Sequence, residues 1–340
     1  MMQTGRRLDY PDIAKGLAII AVLLGHETTF LMQGGAGAVV VPAYMRFVMA
    51  FVDQFHMPVF FLIAGVFAKN SVRPGLASMK KITVRLMIPY FLWIFLTTLA
   101  LSVMQPLTGK DPQWHRFFES PVYSFGQFWF LYALFLAELL YWLLLTLIPE
   151  ARTVCRVMAG ISVLMILLYP HLTAPEQITG LFRNLIFFTA GLSFSEYLKS
   201  LKTERKRLQV FTAAAVFLAS VTAIGSEWIA EEHIYWIIRT VGGMAGAFTC
   251  IFVSCMIAEC TERNILKRIL LYCGEISLEI YCLNPFLTEP GRMIAQRIFG
   301  SGFLWLRPIL ITAAVTAVTG ILMYMIPRTN ILRRMAFGRI

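Results

Sequence analysis

Charge is what this sequence has least of: only 14% of its 340 residues are Asp, Glu, Lys or Arg, while 58% are apolar. A soluble domain averages about 25% charged and 45–50% apolar residues. A chain this apolar, with a mean hydropathy of +0.69, cannot cover its surface by folding in water. No stretch is long and polar enough for a second, soluble domain, so residues 1–340 read as a single transmembrane unit. Internal repeats and low-complexity tracts are also missing. There is no G-x-x-x-x-G-K-[ST] phosphate loop, no G-x-G-x-x-G, no G-x-S-x-G elbow and no His-x-x-x-x-Asp, which takes most of the support from ATP-driven transport and serine hydrolysis. The six cysteines all fall in apolar runs. Cys250, Cys255 and Cys260 lie five apart, and each step turns about 140° on a helix. That spacing gathers no ligands on one face, so neither a disulfide framework nor a metal site is expected.

What the sequence has in abundance is long hydrophobic runs. Windows of about 20 apolar residues fall near 12–32, 44–68, 81–104, 125–148, 153–170, 178–198, 207–225, 235–259, 268–289 and 303–326. The fold class is therefore all-α and polytopic, with about ten transmembrane helices. Most of the 30 lysines and arginines fall on one side of these spans. They include Arg6, Arg7 and Lys15, the second loop from Lys69 to Arg85, the loop "KSLKTERKR" and the tail from Arg328. The positive-inside rule then puts both termini in the cytoplasm. The net charge of +11 is mostly this topological signal, with attraction to anionic lipid added. Without a basic patch on a soluble face it does not indicate nucleic-acid binding. The first run ends in His26 and Glu27 rather than small cleavage-site residues, so it reads as a retained span rather than a signal peptide.

Ionisable groups inside spans are costly and mark candidate sites. In "KGLAIIAVLLGHE" Lys15 and His26 are eleven residues apart. That is about three turns, roughly 16 Å of rise with about 20° of net rotation, so both project from one helix face. Lys15 alone is equally a snorkelling lysine. In "AFVDQFHMPVFFLIAGVFAKN" His56 stands thirteen residues before Lys69, or about 20 Å above the cytoplasmic rim. Two antiparallel neighbours thus bring two histidines to one level. Asp53 is one turn from His56 and suits orienting either ring, as does Glu27 for His26. Pro58 removes a backbone bond and predicts a kink. Together these groups look more like a reaction site than packing.

Other polar positions have plainer readings. Glu275 and Glu279, four apart, share a helix face and are expected to counter buried Arg183 or Arg239. Trp129 in "GQFWFLYALF" fits an outer aromatic belt, and Gly242 with Gly246 fits close helix packing. Arg73, Lys80, Lys81 and Arg85 crowd the second loop and the next span, as topology or a polyphosphate ligand would require.

These motifs resemble the membrane acyltransferase-3 family, in its branch of bacterial surface-glycan O-acetylases. Lys15 and His26 match that family's basic residue, ten intervening residues, then histidine. Phe55, His56, Met57, Pro58, Phe60, Phe61 and Gly65 match its second span; Arg85, Pro89 and Tyr90 its third; and Trp129, Phe130 and Leu131 its fourth. One departure is "SLEIYCLN", which carries Asn284 where the family usually has histidine. The resemblance implies acyl transfer in the bacterial cytoplasmic (inner) membrane, with acetyl-CoA as donor substrate and no permanently bound cofactor or metal. The acceptor it implies is a sugar hydroxyl on a glycan or lipid-linked sugar.

It further implies His26 as general base or acylated nucleophile, with His56, Asp53 and Glu27 in support. Lys15, Arg73, Lys81 and Arg85 would hold the phosphate end of acyl-CoA, and Trp129 and Asn284 would belong to the acceptor side. Coenzyme A's pantetheine arm, on the order of 15–20 Å, compares with the roughly 16 Å rise from Lys15 to His26. The rival reading from the residues is a proton-coupled transporter or flippase for a lipid-linked glycan. The sequence leaves open the acceptor sugar, the acyl length and the oligomeric state, a homo-oligomer included.

Overall fold

A computed structural model describes residues 8–33, 43–108, 114–199, 203–226, 229, 231–299 and 306–338. Arg6, Arg7, Lys202 and Arg339 and the side chains of Lys199 and Arg205 to Arg207, counted above for topology, lie outside the described residues. Among the described residues the structure is helical, with no strand. Its α-helices are α1 (Tyr10–Met32), α2 (Ala43–Ser71), α3 (Leu76–Thr108), α4 (Trp114–Glu119), α5 (Trp129–Leu147), α6 (Ala151–Leu168) and α7 (Glu176–Lys199). They continue with α8 (Thr203–Gly225), α9 (Glu232–Ala258), α10 (Ile265–Glu275), α11 (Ser277–Phe299), α12 (Arg307–Met325) and α13 (Ile331–Ala336).

Among the described residues, eight helical segments are long and apolar enough to cross a bilayer, and they coincide with eight of the ten predicted spans. The protein is an all-α, multi-pass membrane protein. The other two predicted spans take different forms. The run at 207–225 holds only a shorter apolar stretch, Gln209–Gly225. The run at 268–289 is cut at Ile276, where α10 ends and α11 begins. Glu275 and Glu279 therefore sit on two different helices, and the i, i+4 argument does not apply to them. Nor is the helix broken at Pro58, because α2 runs continuously from Ala43 to Ser71. A proline forfeits one backbone bond, and a long, packed membrane helix tolerates that loss.

The chain divides into two compact units, Met1–Ile63 with Tyr197–Met325 and Ala64–Glu196 with Ile326–Ile340. In the first, α1 packs against α9, α10, α11 and α12. Its apolar residues Ile13, Ala14, Ala18, Ile19, Val22 and Leu23 are buried nearly all round. Small residues set the helix spacing. A Cβ on Gly16 would lie 2.2 Å from the Leu270 carbonyl oxygen, and one on Gly274 would lie 1.7 Å from that of Asp12. Backbone meets backbone there, which only glycine permits. On α9, Gly242 and Gly246 instead make room for side chains, those of Gln54 and Ser220 at the first and of Phe55 and Phe217 at the second. Without water to expel, such van der Waals contact is what holds membrane helices together.

The start of α1 is tied down by Lys267. Its ammonium donates to the carbonyls of Ala258 and Cys260 and pairs with Glu262 at 2.8 Å and Asp9 at 3.2 Å.

In the second unit, Gly65 brings α2 against the Phe188 carbonyl of α7, and Trp93 of α3 donates to the Ala336 carbonyl of α13. Only 17% of the hydrophobic window of α6 is buried, against 61% for α1. Leu164, Leu167 and Leu168 are exposed, so α6 presents its apolar surface to lipid while α1 carries the internal packing. The six cysteines are free thiols.

Candidate functional site

Alignment of α1 with α2 decides where the histidines stand. Gly25 faces Val52, whose Cγ1 would be 3.1 Å from an added Cβ, and Thr29 donates to Met49 Sδ at 3.6 Å. The helices are thus antiparallel, with Gly25 level with Val52 and Thr29 level with Met49. On that register His26 is level with residue 51, so His56, five residues further on, stands roughly 7 Å along the helices from the level of His26. His26 is exposed in a stretch, residues 21–28, that is otherwise buried or half-buried. Its imidazole makes no hydrogen bond among the described residues, and His56, Asp53 and Arg292 are near enough to act on its charge.

His56 is buried and its Nδ1 lies 2.6 Å from the Val52 carbonyl oxygen. A carbonyl only accepts, so Nδ1 must carry the proton, and Nε2 is left as the basic nitrogen. The two rings therefore differ: His56 is oriented through its backbone bond, whereas neither nitrogen of His26 has a partner among the described residues.

Two arginines from the second half of the chain flank this pair. Arg239 on α9 reaches Asp53 Oδ2 at 3.3 Å and donates to the Tyr235 hydroxyl at 3.0 Å. Asp53, not Glu275 or Glu279, is thus the carboxylate partner of Arg239. Arg292 on α11 grips Glu27 in a bidentate fork, Nε to Oε2 at 3.0 Å and Nη2 to Oε1 at 2.8 Å. Glu27 is 2% exposed there. The same guanidinium lies 3.7 Å from the centroid of the Phe30 ring and 3.2 Å from Glu289. The carboxylate of Glu27 is engaged by Arg292, while Asp53 lies within electrostatic reach of both histidines. Arg292 was invisible to motif reading, because nothing local relates it to a glutamate 265 residues earlier.

Lys15, at the other end of α1, pairs with Asp12 at 2.6 Å and is a quarter exposed. Asn284 is buried in α11, one turn before Thr288, whose hydroxyl donates to the Asn284 carbonyl. These residues, with the histidines, belong to the first unit.

Arg73, Lys81, Arg85 and Trp129 belong to the second unit. Arg73 donates to the Lys69 and Val72 carbonyls, ending α2, and Lys81 is exposed on α3. Arg85 is paired with Glu138 of α5, whose carboxylate is buried. Glu138 was legible as an acid in an apolar run, but its partner was not. Trp129, the first residue of α5, packs its ring against α7, where a Cβ on Gly180 would fall 2.4 Å from it. The Arg183 guanidinium lies between it and Tyr169, 5.7 and 5.6 Å from the two ring centroids. That cation–π stack neutralises much of the cost of an arginine within a span.

A cavity of about 440 Å³ opens among the ends of α1, α11 and α12, lined by Glu27, Phe30, Arg292, Gln296, Arg297 and Arg307, among others. It lies in the first unit, at the end of α1 remote from Lys15.

Comparison with known proteins agrees with the motifs of the first two spans. The acyltransferase-3 family model, described as an acyltransferase domain, matches residues 8–326. Among curated proteins, the nodulation protein NolL of Mesorhizobium japonicum is 25% identical over 132 residues, 38% of this chain and 34% of that protein. The matched segment spans about a third of the length of that relative. No solved structure matches the chain. A family match running from the start of α1 to just past α12 covers both histidines, both flanking arginines and the cavity, and on that extent the chain belongs to the acyltransferase-3 family.

Proposed function

We propose that this protein is a membrane O-acyltransferase of the bacterial cytoplasmic membrane. It would take an acetyl group from acetyl-CoA entering from the cytoplasmic side. It would place that group on a sugar hydroxyl of an extracytoplasmic or lipid-linked glycan. The observation that carries this reading is the environment of His26: an exposed imidazole with no hydrogen bond among the described residues, within a membrane helix, beside an oriented histidine and a carboxylate. A ring used only for packing would have its nitrogens bonded.

In the direct route, a neutral His26 nitrogen takes the proton of the acceptor hydroxyl as its oxygen attacks the thioester carbonyl. The carbon–sulfur bond breaks, and the thiolate recovers the proton from the imidazolium, leaving an ester and free CoA thiol. In the covalent route His26 itself is acylated first, and the hydroxyl then displaces it. Nε2 of His56, held in place by the Val52 carbonyl, supports the charge that develops on the nearby ring. Lys15 suits the phosphate end of the donor, an anion that would replace Asp12 as its partner.

The test is thiol release from acetyl-CoA by purified protein with a sugar acceptor. His26→Ala is expected to lower the rate at least 100-fold, the usual weight of a positioned base, with expression unchanged. Full activity in that variant removes the reading. Labelled acetyl retained on the protein without acceptor separates the covalent route from the direct one.

A further inference from the structure

Arg307 opens α12 and lines the cavity between α1, α11 and α12. It is 5% exposed. Its Nη1 donates to Gln296 Oε1 at 2.8 Å, but Nε and Nη2 have no partner among the described residues. No carboxylate among the described residues pairs with it. Three facts make this an unusual place for an arginine. A buried guanidinium without a counter-charge is costly. A cation at a helix N-terminus also faces the positive end of the macrodipole. The neighbouring acids are committed elsewhere, since Glu27 and Glu289 both engage Arg292. Three arginines, 292, 297 and 307, thus meet two glutamates on the cavity wall, which leaves a net positive charge among the described residues of a space of sugar size.

We infer that this cavity is the acceptor subsite, and that it takes a sugar carrying an oxyanion, a carboxylate or a phosphate, with that group on Arg307. The inference rests on the acyl-transfer reading for the word acceptor, but the anion site stands on the arginine and the cavity alone. A planar guanidinium with a free edge is suited to a two-oxygen anion. Glu27 forms part of the wall and is the residue next to His26, so the cavity adjoins the level of α1 at which the hydroxyl would react. Gln296 holds the other side of the guanidinium and fixes the angle at which its fork is offered.

The experiment measures the unfolding midpoint of the full chain in nanodiscs of zwitterionic lipid. Glucuronate, glucose 1-phosphate and glucose are titrated in separate arms, and a further arm replaces the lipid with phosphatidylglycerol. A ligand that binds only the folded state raises the midpoint as its concentration passes the dissociation constant. One or both anionic sugars are expected to raise it by a few degrees, and glucose is not. Arg307→Gln loses the shift, while its ligand-free midpoint stays at or above that of the parent, because an unpaired buried charge has been removed. Arg307→Lys, which keeps the charge but not the fork, retains part of the shift and guards against a fold effect.

No shift with either anionic sugar, an equal shift in Arg307→Gln, or a shift confined to phosphatidylglycerol would each overturn the inference. Thiol release is measured alongside. Equal transfer to neutral and anionic sugars overturns the anionic acceptor while the acyltransferase reading survives. Anion binding without transfer to any acceptor does the reverse.

Discussion

Removing the Glu27 carboxylate tests whether that residue serves Arg292 or the neighbouring histidine. At 2.8 Å and an effective dielectric near 20, the Glu27–Arg292 attraction is about 6 kcal/mol before desolvation. Most of that offsets the cost of taking both ions out of water, so the attraction alone overstates the effect. Deleting one partner of a buried pair typically costs 3–5 kcal/mol, because the other charge is stranded. Here the figure belongs at the low end. Arg292 is 18% exposed and keeps Glu289 at 3.2 Å, and the Phe30 ring stays against its guanidinium. Glu27→Gln, which preserves shape, is therefore expected to destabilise the fold by about 3 kcal/mol.

The decisive measurement is a double-mutant cycle with Arg292→Gln, read by reversible unfolding in mixed detergent micelles. If the pair acts as a unit, the double variant is less destabilised than the sum of the singles, with a coupling energy of about 2 kcal/mol. Residual acyl transfer should recover in parallel. Additive losses would show that the fork contributes little. A transfer rate that stays low in a double variant of restored stability would assign Glu27 to His26 after all.

Lys15→Ala is expected to raise KM for acetyl-CoA roughly tenfold with kcat nearly unchanged, read from donor-saturation curves; a fall in kcat alone would refute donor binding. Gly274→Ala forces a methyl to within 1.7 Å of the Asp12 carbonyl oxygen, so α1 and α10 must part. A loss of about 2–3 kcal/mol is expected, and a neutral result would mean that the two helices do not meet there. Lys267→Met leaves the Ala258 and Cys260 carbonyls and the Asp9 and Glu262 carboxylates without their common donor. The start of α1 should then show faster hydrogen exchange at Asp12 and Ile13, with stability lowered by about 2 kcal/mol.

The spans were legible because hydropathy is a property of a continuous stretch, and eight of ten appear as full-length crossing helices. The break at Ile276 was not legible. The run around it carries Glu275 and Glu279, which weaken it as a span without saying where it divides; beside the break Gly274 packs against Asp12, a contact made across more than 260 residues. The same difference runs through the site. His26 and His56 could be placed near one depth from their distances to Lys15 and Lys69, since rise per residue is constant in any helix. Their partners could not.

Sequence spacing alone determined a helical membrane protein with two intramembrane histidines on its first two helices, because helix geometry converts spacing into depth and face. Only the tertiary structure decided that Arg292 claims Glu27, that Arg239 claims Asp53 and that Arg307 has no carboxylate partner among the described residues. Charge pairing depends on which helices become neighbours. In a chain of similarly greasy helices, neighbours are selected by small-residue contacts such as Gly16 and Gly274, and hydrophobicity does not tell them apart.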